Sequence, residues 1–542
     1  MSVLDTKPSL LKPKAPPIQP LAQPEEDRRE FGEAVKARKN IYDSVLKSAQ
    51  GLQPLTNQRH TLKLRDIDYI DDGNFDIQKQ KEAILTGKTL GRRLGGTMDL
   101  YDNATGQLVE SRKMTLARVP FMTERGTFIH NGNEYTLSNQ MRLRPGIFTR
   151  VKDNGEIEAH ANILPGKGSS HRYFLDPAKG VFYVRFGQAK IPLMPLLRAL
   201  GAQDKNLQEA WGNSLWEANA QKDDPSALNK ILQRLVRKAD PDAPIQNKYE
   251  AIKQAIEQME VDPDVSQRTL GMPLKNLNLD GIVATTKKLL AVSRGEADVD
   301  DRDHLAFQNI YGPEDLFSER IAKDYGGLRR ALFYKSSFRN DLRAMQPGFM
   351  TKQIEAALLS SGLGQNLEEI NPADVFDKQT RISRLGEGGI PSVDAVPDEA
   401  RSVQPSHYGF MDPVRTPESF RTGVDVFIAN TVRKGRDGKV YAPFKDMKGN
   451  LVWKSPQEIA DLAVAFPQEL NRKTKRVGVM QDGKIKYVPR EKVDLVMPNF
   501  ENAFSPLGNM IPMKSAVKAQ RMAMASRMTT QALPLEEPES PW

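Results

Sequence analysis

"GTFIHNGNEYTLS" (Gly126–Ser138) decides how the surrounding chain folds. Apolar and polar residues alternate on both sides of Asn131-Gly132. A period of two puts one row of side chains on a core face. Asn-Gly accepts the left-handed backbone of a two-residue hairpin turn. The stretch therefore predicts two antiparallel strands and a tight turn.

The same alternation runs outward. "TLKLRDIDYI" (61–70), "TMDLYDN" (97–103) and "QLVESRKMTLARV" (107–119) predict further strands of a largely antiparallel sheet, as do "EIEAHANIL" (156–164), "RYFLD" (172–176) and "VFYVRFGQAKIPL" (181–193). Upstream, Phe31, Val35, Ile41, Val45 and Ala49 recur at helical spacing behind an acidic start and before Gly51. Helices dominate 192–365. Ser226 is the expected cap of one carrying Leu228, Ile231, Leu232 and Leu235 on a face. Tyr249, Ile252, Ile256 and Met259 line the next, and 277–293 is a third. Residues 366–425 are loop-rich, 430–495 return to short strands, and 513–531 read as helix. The Pro-rich residues 1–26 predict an extended, mobile tail. The fold class is α+β and multi-domain, because 542 residues exceed what one core organises.

The net charge of +9 favours a polyanionic partner. The lack of Cys excludes disulfides and thiolate metal sites and fits a reducing, cytoplasmic setting. No apolar run is long enough to span a bilayer, and the N-terminus has no apolar core of a secretory signal.

Few motifs suggest chemistry on their own. Asp298, Asp300, Asp301, Asp303 and His304 crowd together, but at no EF-hand spacing, so no metal site is expected there. "RLGEGGIP" (384–391) lacks the Gly-Lys-Ser/Thr of a phosphate loop. Lys514, Lys518 and Arg521 would make a basic stripe on a helix, a possible phosphate track, with Met522, Met524 and Met528 on its other faces.

Four stretches resemble the β subunit of multisubunit RNA polymerase. In "PFMTERGTFIHNGNEYTLSNQMRLRPGIF" the matching residues are Gly126, Thr127, Phe128, Asn131, Gly132, Ser138, Pro145 and Gly146. In "NPADVFDKQTRISRLGEGGI" they are Asn371, Pro372, Arg381, Ser383, Leu385, Gly386, Gly388 and Gly389. In "SHYGFMDPVRTPESFRTG" they are His407, Tyr408, Gly409, Pro413, Thr416, Pro417, Glu418 and Gly423. "SPLGNMIPMKSAVKAQRMAMASRMTTQALP" places Arg521 on the family Arg that approaches the incoming triphosphate, and Gln531 on the Gln near the RNA 3′ region.

The resemblance implies a protrusion (27–148 with 312–365), an inserted lobe (149–311), a fork and rifampicin-pocket-like region (366–430), a shortened external region (431–500) and the start of a hybrid-binding segment (501–542). It implies one jaw and the fork wall of an RNA–DNA hybrid channel. Arg521 would contact nucleotide phosphate. Gln365, Lys378, Arg381, Ser383, Arg415, Pro417, Glu418, Arg421 and Gln531 would be RNA, DNA and fork contacts. No complete catalytic set is implied in this chain, and none of its residues is a metal ligand. Mg²⁺ would be held by a partner β′-like subunit. Template DNA, nascent RNA, nucleoside triphosphates, the C-terminal half of β and an α-like subunit or initiation factor complete the implied partners, and no membrane is among them. Trp542 falls inside a family segment, which implies either one piece of a split β subunit, as in some large-phage polymerases, or a fragment of a longer chain. Location would be the cytoplasm, or a host's cytoplasm or virion. The rival reading is a non-catalytic β-derived DNA-binding or assembly protein.

The departures are specific. Arg415 and Arg421 replace an acidic residue and an Asn, which would make the fork more basic. Lys378 replaces the His of the rifampicin wall, and "PSVD" follows where the family is Arg-rich. Poor rifampicin binding follows; inhibition of the assembled enzyme at the level of a bacterial polymerase would contradict it.

Overall fold

The computed structural model describes residues 27–533, except 54, 71, 72, 74, 153, 237–239, 241, 242, 340, 341, 343 and 344. The tail expected over 1–26 lies outside the described residues, apart from which two compact units form. Residues 143–302 make one; 27–142 with 303–533 make the other.

The first unit is built on a five-stranded antiparallel meander, Gly146–Val151, Ile157–Asn162, His171–Asp176, Val181–Phe186 and Ala189–Pro192. Helices cover it, and Phe182 meets Trp211 with ring centroids 4.8 Å apart. The Trp211 indole donates to Thr286 Oγ1 at 2.9 Å, so the buried ring leaves no orphan N–H. The helix Pro225–Leu235 buries Leu228, Ile231 and Leu232, while Leu235 is only partly covered. Its cap is Asp224, not Ser226: the Asp224 carboxylate accepts from Ser226 N at 2.9 Å, and Pro225 takes the first helical position. Asp300 of the acidic stretch is a structural latch. It accepts from Thr149 N at 2.8 Å and Oγ1 at 2.7 Å and pairs with Lys288 at 2.6 Å.

The second unit contains the hairpin. Phe128–His130 pairs with Asn133–Leu137, and His130 stands opposite Asn133, so Asn131-Gly132 is the whole turn. Their φ angles of 49° and 78° are the left-handed pair that a type I′ turn requires. At Gly132 a Cβ would also sit 2.9 Å from Ile84 O. That oxygen belongs to a helix, Ile77–Leu85, which the sequence reading passed over between strands. Asp76 caps it by accepting from Lys79 N at 2.9 Å. A four-stranded sheet (Leu55–Thr56, His60–Tyr69, Gly91–Asp102, Leu108–Pro120) carries the long alternating stretches.

The helix expected upstream spans Ala34–Gly51 and begins after the acidic residues. Ile41, Val45 and Ala49 are buried; Val35 is exposed, because Ala34 and Ala37 occupy the covered face instead. A mixed sheet places Arg381–Ser383 between Asn139–Leu143, which runs parallel, and Asp425–Phe427, which runs antiparallel. An eight-stranded sheet spans Arg29–Glu30 and much of 433–496. Arg29, Glu314 and Lys434 join its first strands to the helix Pro313–Lys323 through buried contacts. Arg29 forks onto Glu314 at 3.1 Å, and Lys434 donates to Glu314 at 2.9 Å and to Asp315 at 2.8 Å. Burial alone would raise the Glu314 carboxyl, but the charges of Arg29 and Lys434 outweigh it and hold the group at about 2.

Protonation ties the first unit's stability to acid. His171 is buried, with Nδ1 against Ser169 O at 3.0 Å and Nε2 against the Tyr173 hydroxyl at 2.8 Å. A carbonyl only accepts, so Nδ1 carries the proton and Nε2 accepts from Tyr173. Burial pulls the ring down to about 4 from its ordinary 6.5. The unfolded chain therefore binds a proton that the folded one refuses between those values. Stability is full above pH 6.5 and falls as pH drops towards 4. At pH 5 the loss should be about 2 kcal/mol. Denaturant melts at pH 7 and pH 5 check this, and His171→Phe should shrink the difference.

Candidate nucleic acid interface

Asn371 begins the site. Its side-chain oxygen accepts from Ala373 N at 2.9 Å and Asp374 N at 3.3 Å, capping the helix Pro372–Thr380. Its amide donates to Thr529 O at 2.8 Å and Ala532 O at 2.7 Å, so the same side chain holds the end of the helix Ala519–Gln531. The two helices are thereby fixed against each other.

The loop Ser406–Gly423 is fixed by side chains that act as backbone partners. Asp412 accepts from Val414 N at 2.9 Å, Arg415 N at 3.1 Å and Ser505 N at 2.7 Å. Thr416 Oγ1 donates to Asp425 O at 2.9 Å and accepts from Gly423 N at 2.8 Å. Gly423 has φ 71°, and a Cβ there would lie 2.3 Å from Arg401 O, so the position needs glycine on both counts. Burial pulls the His407 ring down to about 3, with the nearby charges of Arg384 and His304 acting in the same sense.

A cleft of about 460 Å³ opens between these elements. Of the sequence-predicted residues, Gln365, Lys378, Arg381, Arg415, Pro417, Arg421 and Gln531 line it. Three predicted residues do not. Ser383 is buried in the mixed sheet with its Oγ accepting from Leu385 N at 3.2 Å. Glu418 is exposed at the loop tip. Arg521 is exposed on its helix, away from the lining. The basic stripe expected with Arg521 does not form as a helical face. Met513 has φ 50°, Lys514–Ala516 is a 3₁₀ turn, and Lys518 is an extended residue preceding the helix at Ala519. Of the three Met residues, Met522 is buried and Met528 exposed.

Most of the cleft's positive charge is already matched. Arg415 is buried, grips Asp377 with both terminal guanidinium nitrogens, and lies 4.0 Å from the Phe427 ring centroid. Arg381 pairs with Asp425, which also takes Arg421 at 3.3 Å. Lys378 pairs with Asp374 at 2.8 Å, one turn back along its helix. Arg415 is thus an internal brace rather than surface charge, whereas Arg421 is partly exposed and shares one carboxylate with Arg381.

Arg527 is the exception. It lines the cleft, is exposed, and has no carboxylate partner among the described residues. Sequence reasoning missed it. The available signal was helical spacing, since Ala523, Arg527 and Gln531 stand four apart on the face that lines the cleft. Its guanidinium can meet one phosphate or one face of a base. Among the described residues no three His, Asp or Glu side chains are grouped to hold a metal ion. Of the four cleft carboxylates, Asp374, Asp377 and Asp425 each face a cation, while Glu368 is exposed.

A family description, RNA polymerase Rpb2 domain 3, matches residues 365–426, the stretch that supplies most of the cleft lining. Beyond that stretch, the chain is 25% identical over 542 residues to DNA-directed RNA polymerase subunit beta of Prochlorococcus marinus, covering 92% of this chain and 48% of that protein. The subunit of the same name from Syntrophomonas wolfei is 25% identical over 560 residues, covering 94% and 49%. The one from a Synechococcus strain is 25% identical over 544 residues, covering 92% and 48%. The chain spans about half the length of these curated relatives.

The Arg415–Asp377 pair makes a test of the cleft's architecture. Burial pushes the Asp377 carboxyl up, against the hydrogen bonds and charge of Arg415. Arg415→Met should therefore destabilise by about 3–5 kcal/mol near neutral pH, because it strands a buried carboxylate. The loss should be smaller at pH 5 than at pH 7, because burial, no longer opposed by Arg415, favours the neutral carboxyl as pH falls. Adding Asp377→Leu should recover most of the stability. Chemical denaturation of the two variants at both pH values reads this directly.

Proposed function

We propose that this chain works within a DNA-dependent RNA polymerase, in the position of the N-terminal half of the β subunit. The observation that carries the reading is the cleft. Seven residues chosen from the resemblance, spread from Gln365 to Gln531, line one cavity. Six of the seven lie in the stretch that the Rpb2 domain 3 description matches, and Gln531 lies beyond it.

In this reading residues 149–311 are the lobe, and the residues around them supply protrusion, fork and external region. The cleft is a wall of the RNA–DNA hybrid channel. Arg527 and Gln531 face the RNA, and Arg527 neutralises a backbone phosphate. Arg521, outside the cleft, approaches the incoming triphosphate. The braced pairs give the wall a fixed shape, so no side chains need ordering at each nucleotide addition. Nucleotidyl transfer needs Mg²⁺, and three of the four cleft carboxylates, being engaged by Arg and Lys, do not suit it. The ion belongs on a β′-like partner, and the isolated chain should be inactive. Template DNA, nascent RNA, nucleoside triphosphates, the rest of β and an α-like subunit or initiation factor complete the assembly. No described helix is long and apolar enough to cross a membrane.

Purification of the native protein tests the assembly. A β′-like chain should accompany it; a lone chain with no polymerase partner would favour the non-catalytic β-derived reading. In the assembled enzyme Arg527→Ala should shorten the lifetime of stalled elongation complexes about tenfold, with Arg527→Lys restoring much of it. An unchanged lifetime would remove Arg527 from the RNA wall.

A further inference from the structure

The hairpin Arg476–Gln481 with Lys484–Pro489 closes the far end of the eight-stranded sheet. Its core-facing residues Val477 and Val479 pack with Ala463, Ala465 and Val493. The strand Lys484–Pro489 is a sheet edge, and Lys484 and Lys486 on it have an ordinary purpose: charged side chains keep an open edge from pairing with other chains.

The other end of the hairpin is different. Arg476 stands opposite Pro489, and Arg490 N continues the ladder to Lys475 O at 3.2 Å. The Arg490 guanidinium then reaches across to Arg472 O at 3.0 Å and to Leu470 O. Arg476 donates to Tyr487 O at 3.0 Å. These bonds draw 470–476 and 490–492 together, and with them Arg472, Lys473, Lys475, Arg476, Arg490 and Lys492. All six are exposed. Three carboxylates lie close in sequence. Glu469 pairs with Arg472 at 2.9 Å, Asp494 accepts from Ala463 N at 2.9 Å, and Glu491 is exposed. Arg476 and Arg490 are held by carbonyls, which fix their position without cancelling their charge. Lys473, Lys475 and Lys492 have no carboxylate partner among the described residues. Arg472 apart, these cations face no carboxylate among the described residues; like charges held together by folding repel one another and favour an anion at that place. Edge protection does not account for them, since they lie beyond the edge strand.

We propose that this open end of the hairpin is a second polyanion-binding surface, separate from the cleft, and that it holds the phosphate backbone of a nucleic acid. Rigidly placed Arg and freely rotating Lys suit repeated phosphates and read no base sequence. The inference does not depend on the polymerase reading.

Fluorescence anisotropy of the full chain tests it, using a labelled DNA duplex of about 20 base pairs and a single-stranded RNA of like length through a salt series. The triple variant Lys473→Gln, Lys475→Gln, Lys492→Gln should bind about tenfold more weakly at low salt. Its slope of log affinity against log salt should flatten by about 2 to 3. A control with the same charge removed elsewhere, Lys205→Gln, Lys222→Gln, Lys230→Gln, should stay within about twofold of the parent. Loss confined to the duplex assigns the surface to DNA; loss confined to the single strand assigns it to RNA; loss for both assigns it to the shared backbone. Equal losses in the two triple variants would mean that only net charge matters, and no loss in either would mean that the cluster is idle. Both of those results overturn the proposal.

Discussion

Glu314 lies buried between Arg29 and Lys434, and much of the larger unit is organised around that carboxylate. Its partners are 285 and 120 residues away along the chain. An unmatched charge at such depth would be expensive, so the three segments are stable only together. Glu314 begins the helix Pro313–Lys323, and that helix continues to distribute contacts. Glu319 takes Arg142 at 2.6 Å, and Arg320 and Lys323 both reach Glu387. Glu387 belongs to the turn that follows the strand Arg381–Ser383. One buried acid, one helix and one surface pair thus lead from the first strand of the large sheet to the wall of the cleft.

The cleft shows how a basic sequence can present little free charge. Arg381, Arg415, Arg421 and Lys378 all face carboxylates of the same wall. A bidentate Arg–Asp pair over an aromatic ring is stiff and directional. The result is a surface whose shape is set by ion pairs and whose response to an anion is concentrated at Arg527. The open end of the hairpin has the opposite design, with charges collected and most of them left without a carboxylate partner among the described residues.

Local chemistry was legible in the sequence, and partnership was not. Asn131-Gly132 specified its own turn, because the two residues contain everything the turn requires. Ile41, Val45 and Ala49 announced a buried helix face for the same reason. Val35 misled because two small residues, Ala34 and Ala37, could cover the face that a larger residue seemed to claim. Ser226 misled because Asp224 competes for the same backbone N–H groups two residues earlier. The stripe at Lys514 failed on backbone angles that periodicity cannot see. Arg415 looked like surface charge because Asp377, which buries it, lies 38 residues upstream. Seven of the proposed cleft residues could be chosen only through resemblance, since nothing local marks Gln365 or Pro417.

Asn371 illustrates how geometry can narrow the alphabet at one position. Its oxygen must accept from the start of one helix while its nitrogen donates twice to the end of another. Asp would keep the cap but set a negative charge against two carbonyl oxygens. Ser would cap but reach neither carbonyl, and Gln would carry the amide one carbon too far. Of the twenty side chains, only asparagine has both functions at that length. The asparagine at 371 is therefore a chemical necessity of this joint, and two helices far apart in the chain constrain one codon between them.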